Sequence, residues 1–195
     1  MRRLRQARLL SLAAIRTIPL SELEGAIRSS GYFRQKAARL KTFVAFVDAS
    51  YGGSLRRMLA QPTAKLREEL LALNGVGPET ADSILLYAGQ HPVFVVDAYT
   101  RRILERHAIA TASASYEEIR ELCERSLREQ SPLRTPNCHP GTDFAHPPSA
   151  MSMAPRSATA QVYNDMHGLI VGVGKHYCLK SKPDCEGCPL REFLP

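Results

Sequence analysis

Apolar side chains recur every three or four positions over two stretches that a glycine-containing turn separates. The first stretch carries Leu66, Leu70 and Leu73, and the second carries Ala81, Ile84, Leu85 and Ala88. This period predicts two amphipathic helices, joined by a turn that reads Asn-Gly-Val-Gly-Pro over residues 74–78. The glycines permit a positive φ and a close backbone approach, and the proline suits the first turn of a helix. The pattern therefore predicts a helical hairpin whose N–H groups suit a phosphate.

The same period extends over most of the remaining chain. It predicts helices at 2–15, 21–29, 54–60, 98–107 and 115–128, one that follows the turn at 31–37 and ends before residue 52, and one from residue 159. Capping-box spacing marks two of the starts, Ser21 with Glu24 and Ser115 with Glu118. The last helix is expected to bury a stripe made of Val162, Met166, Leu169, Ile170 and Val173.

One apolar run does not fit a helix. Residues 93–96 read Val-Phe-Val-Val, which favours a strand by propensity. We interpret the run as a buried connector, because its surroundings are helical and no partner strand is evident. The sequence therefore predicts an all-α fold.

Residues 130–158 differ from the rest of the chain in composition. Six prolines stand there among serine, threonine and glycine, without any apolar period. Such a composition predicts a flexible insertion or linker. The segment also holds Cys138, His139 and His146, which are either metal ligands or incidental.

Length and charge narrow the class of protein. The 195 residues suit one domain or two small lobes. With 26 Lys and Arg against 19 Asp and Glu, the net charge is +7, which favours a polyanionic partner, although solvated surfaces are often basic too. No apolar run approaches membrane-spanning length and no signal-peptide pattern follows the basic N-terminus, so we expect a cytoplasmic protein that binds no membrane.

Two segments resemble a known family. Residues 73–81, LNGVGPETA, are similar to the helix-hairpin-helix of the endonuclease III superfamily of DNA base-excision glycosylases, and residues 95–102, VVDAYTRR, resemble its catalytic-aspartate segment. A hairpin alone is common among DNA-binding proteins, whereas a hairpin, an apolar run and an Asp at this spacing are more specific. The resemblance implies a two-lobed helical bundle with a C-terminal Cys-rich loop, acting as a monomer on double-stranded DNA.

The resemblance also implies how the chain divides. One lobe would comprise residues 20–110, with the hairpin at 65–88 and the catalytic Asp. The other would combine residues 1–19 with 111–195, including the insertion and a Cys loop at 178–188. Family members usually begin further upstream, with a helix that probes intercalated DNA, and nothing between Met1 and Leu20 matches it. We therefore expect a chain that lacks this helix, through either a late start or a real loss.

Asp97 is the first candidate for catalysis. It precedes a predicted helix, so backbone N–H groups could hold its carboxylate ionised, and an ionised carboxylate can stabilise a sugar oxocarbenium ion or orient water. An ordinary capping Asp is the alternative.

Glu79 is the second candidate, because it stands where bifunctional relatives carry a Schiff-base lysine. The resemblance thus implies a monofunctional enzyme, similar to 3-methyladenine DNA glycosylases. Glu79 would contact a cationic base or serve only the helix dipole.

Other residues are candidates for contacts with DNA. The hairpin positions Gly75, Val76, Gly77 and Thr80 are expected to contact the backbone, and Lys36 and Arg101 to contact phosphates. For the two cations a solvated surface position is the alternative. Tyr32 and Tyr87 are candidates for stacking on a flipped base or for core packing.

Three cysteines near the end form a candidate cofactor site. Cys178, Cys185 and Cys188 have the spacing C-x6-C-x2-C, which matches the family's [4Fe–4S] loop, but the fourth position is Leu194. Cys123, Cys138 or His176 could supply a fourth ligand. The sequence therefore leaves open whether a [4Fe–4S] cluster is bound.

Three functions stay open at this point. The first is a monofunctional glycosylase that removes a damaged, alkylated base. The second is a degenerate or truncated family member that only binds DNA without sequence preference. The third is a bifunctional glycosylase with lyase activity.

Overall fold

All of the regular secondary structure in the part of the chain that the structure describes is helical. The computed structural model describes residues 2–130 and 155–195, and these contain no strand. This confirms the predicted all-α fold. Most of the predicted insertion, with Cys138, His139 and His146, lies outside the described residues.

Ten α-helices follow one another along the described chain. They are α1 Arg2–Gln6, α2 Leu12–Thr17, α3 Leu20–Ile27, α4 Phe33–Tyr51, α5 Leu55–Leu59, α6 Thr63–Leu71, α7 Pro78–Ser83, α8 Ala98–Arg106, α9 Tyr116–Leu127 and α10 Ala158–His176. A π-helical turn, Ile84–Ala88, continues α7, and short 3-10 turns lie at Arg28–Ser30 and Arg191–Phe193.

The chain forms two compact units that meet in sequence between Gly77 and Pro78. The first unit therefore holds α1 to α6, and the second holds α7 to α10. The lobes predicted above, residues 20–110 against 1–19 with 111–195, divide the chain elsewhere and remain a prediction.

The first unit differs from the sequence prediction near its start. The predicted helix at 2–15 is broken, because Arg8 adopts a positive φ of 54° and α2 begins anew after Ser11, whose hydroxyl accepts from the Ala14 amide. The predicted box of Ser21 with Glu24 is also absent, since Pro19 is the N-cap of α3. Leu23, Ile27 and Ala37 form the small buried core between α3 and α4.

The second unit packs around the connector between the π turn and α8. Val93, Phe94, Val95 and Val96 are at most 4% exposed. Side chains satisfy two of its amides: Phe94 donates to Glu124 Oε1 at 3.0 Å and Val96 donates to the Tyr116 hydroxyl at 3.3 Å. These bonds take the place of a sheet ladder, so the interpretation as a buried connector is confirmed.

The buried face of α10 is rotated relative to the prediction. Val162 and Ile170 of the predicted stripe are buried as expected, whereas Met166 and Leu169 are 38% and 41% exposed. The buried face also includes Tyr163, His167 and Gly174, which the prediction did not name. A Cβ atom on Gly174 would lie 2.3 Å from the Tyr99 ring, so the glycine lets α8 and α10 approach closely.

Candidate active site

Asp97 lies at the N-cap of α8, where the sequence places it. Its Oδ1 accepts from the Thr100 amide at 2.8 Å and from the Thr100 hydroxyl at 3.0 Å. Burial raises the pKa of the carboxyl, but the facing His167 and the Thr100 donors outweigh burial, so the pKa of Asp97 lies below its ordinary value. The structure thus holds an ionised, partly desolvated carboxylate at the start of a helix.

His167 of α10 faces the second oxygen of that carboxylate, and sequence reasoning missed it. Its Nε2 lies 3.6 Å from Asp97 Oδ2, and its Nδ1 hydrogen-bonds the Tyr87 hydroxyl of the π turn. The Phe94 ring packs against the imidazole in a T-shaped arrangement, with centroids 6.3 Å apart. The available signal was the spacing of Tyr163, His167 and Gly174, which places the histidine on one face with residues that are buried.

The two tyrosines proposed for base stacking have different environments. Tyr87 is partly buried beside His167, and burial together with Asp97 raises the pKa of its phenol to about 12. Tyr32 is 81% exposed and holds a positive φ of 46°, which excludes the core-packing alternative for it.

The two glycines of the hairpin turn have different surroundings. Gly75 has a φ of 85°, and a Cβ there would lie 2.2 Å from the Arg39 Nε. Gly77 is exposed, and a Cβ there would meet no atom within 4 Å. The Val76 amide donates to the Leu73 carbonyl at 3.0 Å, so it is already used within the turn. Glu79 and Thr80 follow, both exposed, in the first turn of α7.

The candidate phosphate ligands already bond to backbone carbonyls. Lys36 Nζ donates to Ser30 O at 2.6 Å, and Arg101 Nη1 donates to Ala114 O at 2.8 Å. Each retains further N–H donors for another acceptor. Arg102 instead braces the unit, because it donates to Cys178 O and Gly174 O and lies over the Tyr99 ring.

The three C-terminal cysteines line one cavity of about 220 Å³ in the second unit, together with His107 and Leu194. Arg106 Nη1 donates to Cys178 Sγ at 3.2 Å, and the Leu190 amide approaches Cys188 Sγ at 3.5 Å. N–H donors directed at sulfur suit thiolates that hold an iron–sulfur cluster.

No fourth cysteine is among the described residues that line this cavity. Neither Cys123 nor His176 is among the described residues that line the cavity, and burial raises the pKa of the Cys123 thiol to about 11. Within residues 2–130 and 155–195, no three His, Cys, Asp or Glu side chains are close enough to hold a single metal ion. The three cysteines therefore share one cavity, while the described residues show no group already arranged around a metal ion.

Among the helices that the structure describes, none has the length and apolarity needed to cross a membrane.

The chain is similar to known proteins over almost all of its length. Residues 1–129 match the family model of the HhH-GPD superfamily base excision DNA repair protein. A putative DNA repair glycosylase of Methanocaldococcus jannaschii is 35% identical over 186 residues, which make up 95% of this chain and 71% of that protein. Endonuclease III of Bacillus subtilis is 25% identical over 173 residues, 89% of this chain and 61% of that protein.

Solved structures agree with this relationship. The crystal structure of H. pylori 3-methyladenine DNA glycosylase bound to 1,N6-ethenoadenine matches with a TM-score of 0.71 and 29% identity, over 92% of this chain and 76% of that one. A non-covalent endonuclease III–DNA complex matches with a TM-score of 0.66 over 97% and 72%, but at 23% identity it supports the fold alone. With its family model covering 129 residues and a relative at 35% identity, the chain belongs to the HhH-GPD superfamily of base excision DNA repair proteins.

Proposed function

We propose that this protein is a monofunctional DNA glycosylase, which hydrolyses the N-glycosidic bond of an alkylated base in double-stranded DNA. The observation that carries the proposal is the Asp97 carboxylate, ionised at the N-cap of α8 and held by Thr100. The direct test is incubation with duplex DNA that contains one alkylated purine. We expect free base and an intact strand with an abasic site.

The carboxylate has a defined task in this reaction. As the bond between C1′ and the base breaks, its electron pair leaves with the base and positive charge develops on the sugar. A fixed negative charge in a partly water-excluded site stabilises that charge without reorganisation at the moment of reaction. Water then attacks C1′ and loses a proton, which leaves an abasic deoxyribose.

The distribution of amines supports the monofunctional assignment. Schiff-base chemistry needs a nucleophilic amine at C1′, and α7 offers the Glu79 carboxylate at the family's lysine position. From Pro78 to Gly174 the sequence contains no lysine, so the π turn, the connector and α8 supply no side-chain amine either. Lys175, in the last turn of α10, is the first lysine beyond the hairpin. A bifunctional enzyme would have to use an amine from outside this segment, such as Lys175.

An alkylated purine is the proposed substrate class. Its positive charge already weakens the glycosidic bond, so less stabilisation is required from the protein. The exposed Glu79 carboxylate offers a complementary charge at the start of α7. The H. pylori relative, a 3-methyladenine DNA glycosylase bound to 1,N6-ethenoadenine, supports this class by analogy.

DNA binding through the hairpin turn gives a first prediction. Gly77→Val should weaken binding to undamaged duplex DNA about tenfold, because the added side chain keeps the backbone away from phosphate. Folding should be retained, because a Cβ at this position meets no neighbouring atom within 4 Å. Affinity is measured by fluorescence anisotropy at several salt concentrations, with circular dichroism as the check on folding.

Gly25→Val is the matched control for that experiment. Gly25 is also exposed with open space around its Cβ position, but it lies in α3. We expect this variant to bind DNA like the wild type. Equal affinity of a folded Gly77→Val protein would exclude the hairpin turn as the anchor.

The cysteine cavity leads to a second proposal and prediction. We propose that Cys178, Cys185 and Cys188 hold an iron–sulfur cluster that stabilises the C-terminal loop. Leu194 stands at the fourth ligand position and cannot bind iron, so the fourth iron would be held weakly. Protein purified without oxygen should hold fewer than four irons per chain. Leu194→Cys should raise the iron content towards four and slow its loss in air.

Leu179→Cys provides the control, because that residue is exposed outside the cavity lining. Adding a thiol there should leave the iron content unchanged. A full, air-stable complement in the wild type would show that another residue completes the site. No iron in either the wild type or Leu194→Cys would exclude the cluster.

A DNA-binding module without activity is the second candidate function. The chain spans 71% of the Methanocaldococcus relative and 61% of the Bacillus relative, so the activity of those whole proteins is a proposal for this one. Tight, salt-sensitive binding without base release from alkylated, oxidised or deaminated duplexes would favour this candidate.

A further inference from the structure

The imidazole of His167 is a buried polar group that the proposed mechanism has not used. The residue is only 7% exposed, and its Nε2 has no hydrogen-bond partner in the described part of the chain. The polar group that this nitrogen faces is the Asp97 carboxylate, 3.6 Å away. A buried donor without a partner is costly, so a histidine kept in this position calls for an explanation.

Tyr87 determines which ring nitrogen carries the proton. Its phenol stays protonated at neutral pH, because burial and Asp97 raise its pKa to about 12. When this O–H donates to His167 Nδ1, the proton of the neutral ring lies on Nε2 and faces Asp97. The other tautomer would direct a nitrogen lone pair at a carboxylate, which is unfavourable.

Within residues 2–130 and 155–195, the carboxylate of Asp97 is the negatively charged group recorded beside the ring. Phe94 packs against the imidazole in a T-shaped arrangement, and Asp97 and Tyr87 are the titratable groups that contact the ring among the described residues. Arg156, before α10, acts on Tyr87 by lowering its pKa, against the larger effects of burial and Asp97. The proton on Nε2 therefore has the carboxylate as its nearest acceptor.

We propose that His167 is a positioning residue: its Nε2–H, oriented by Tyr87, fixes Oδ2 of Asp97 while Thr100 fixes Oδ1. The effect of this contact on catalysis rests on the proposed glycosylase function. A shift of less than about 1 Å would bring the atoms of this 3.6 Å separation within hydrogen-bond distance, and catalytic hydrogen bonds commonly tighten in this way when substrate binds. With both oxygens held, the carboxylate is kept in one orientation towards the sugar.

The first test needs no activity. The pKa of the Asp97 carboxyl is measured by carbon NMR in wild type, His167→Leu and His167→Gln. Leu removes the donor, so burial is less opposed and the pKa of Asp97 should rise. Gln keeps an N–H near the position of Nε2 and should hold the pKa closer to the wild-type value.

Tyr163→Phe is the matched control for the NMR measurement. It removes a hydroxyl from the buried face of α10 one turn before His167, where that hydroxyl bonds Glu124 O at 3.3 Å. The pKa of Asp97 should not change in this variant. An unchanged pKa in His167→Leu would overturn the proposal. If His167→Leu does not fold, Tyr87→Phe decides instead, because loss of the Nδ1 partner should also raise the pKa of Asp97.

The second test is the pH dependence of base release in single-turnover reactions. His167→Leu should lower the rate at neutral pH by about 10- to 100-fold, the scale of one hydrogen bond to a charged group. Its acid limb should also move to higher pH, and His167→Gln should recover part of both effects. A rate that falls equally at every pH would show a structural role only and overturn the proposal.

Failure of the two proposals is distinguishable. No base release by the wild type, with a pKa of Asp97 that rises in His167→Leu, contradicts the glycosylase function and leaves the contact established. Base release by the wild type, with an unchanged pKa and pH profile in the variant, supports the function and overturns the role of His167.

Discussion

Asp97→Asn is expected to lower the rate of base release from alkylated duplex DNA about 1,000-fold, with little change in DNA affinity. Asn keeps the size of the side chain and can still accept from the Thr100 amide, which Asp97 does at 2.8 Å. It lacks the negative charge that stabilises the cationic sugar. Single-turnover release of a labelled base and anisotropy on an unreactive duplex measure the two quantities separately.

Glu105→Gln is the matched control for this experiment. Glu105 is exposed on the same helix, α8, so the variant removes one negative charge without touching the candidate site. Its rate of base release should equal that of the wild type. An Asp97→Asn enzyme with an undiminished rate would exclude Asp97 as the catalytic carboxylate.

The same variant has a readout in stability that does not depend on activity. Because the pKa of Asp97 is lower in the folded protein than in the unfolded chain, its charge stabilises the fold above the unfolded pKa. This contribution is lost as the pH falls through the folded pKa. The difference in unfolding free energy between wild type and Asp97→Asn should therefore be larger at neutral pH than at pH values below the folded pKa.

Borohydride treatment is expected to trap no covalent complex between the wild-type protein and damaged DNA, whereas Glu79→Lys should give a trapped complex. Trapping reduces a Schiff base between an amine and the sugar C1′, and the first turn of α7 offers a carboxylate there. The lysine in the variant restores the nucleophile at the family's position. Denaturing gels separate the trapped complex from free DNA.

Glu79→Gln separates loss of the acid from gain of the amine. It should give no trapped complex, and its base release reports whether the Glu79 charge favours a cationic base. A trapped complex with the wild type would contradict the monofunctional assignment, and Lys175 would then be the next candidate for the attacking amine.

Features whose causes are local could be predicted from the sequence alone. Asp97 caps α8 because a short acidic side chain directly before a helix can reach the amide three residues on, and Ser115 with Glu118 forms its capping box for the same reason. The glycine turn between α6 and α7 could also be predicted, since Gly75 adopts the positive φ that its lack of a side chain permits. These interactions span only a few residues, so the pattern contains them.

Features that depend on partners far apart in the sequence became visible only in the folded structure. His167 reaches Asp97 across 70 positions and Tyr87 across 80, and no local pattern encodes such a meeting. The buried face of α10 differs in part from its most apolar stripe, because close packing of Tyr99 against Gly174 orients the helix so that Met166 and Leu169 are exposed while Val162 and Ile170 are buried. Periodicity reports which residues could be buried, whereas packing against the rest of the unit selects which ones are.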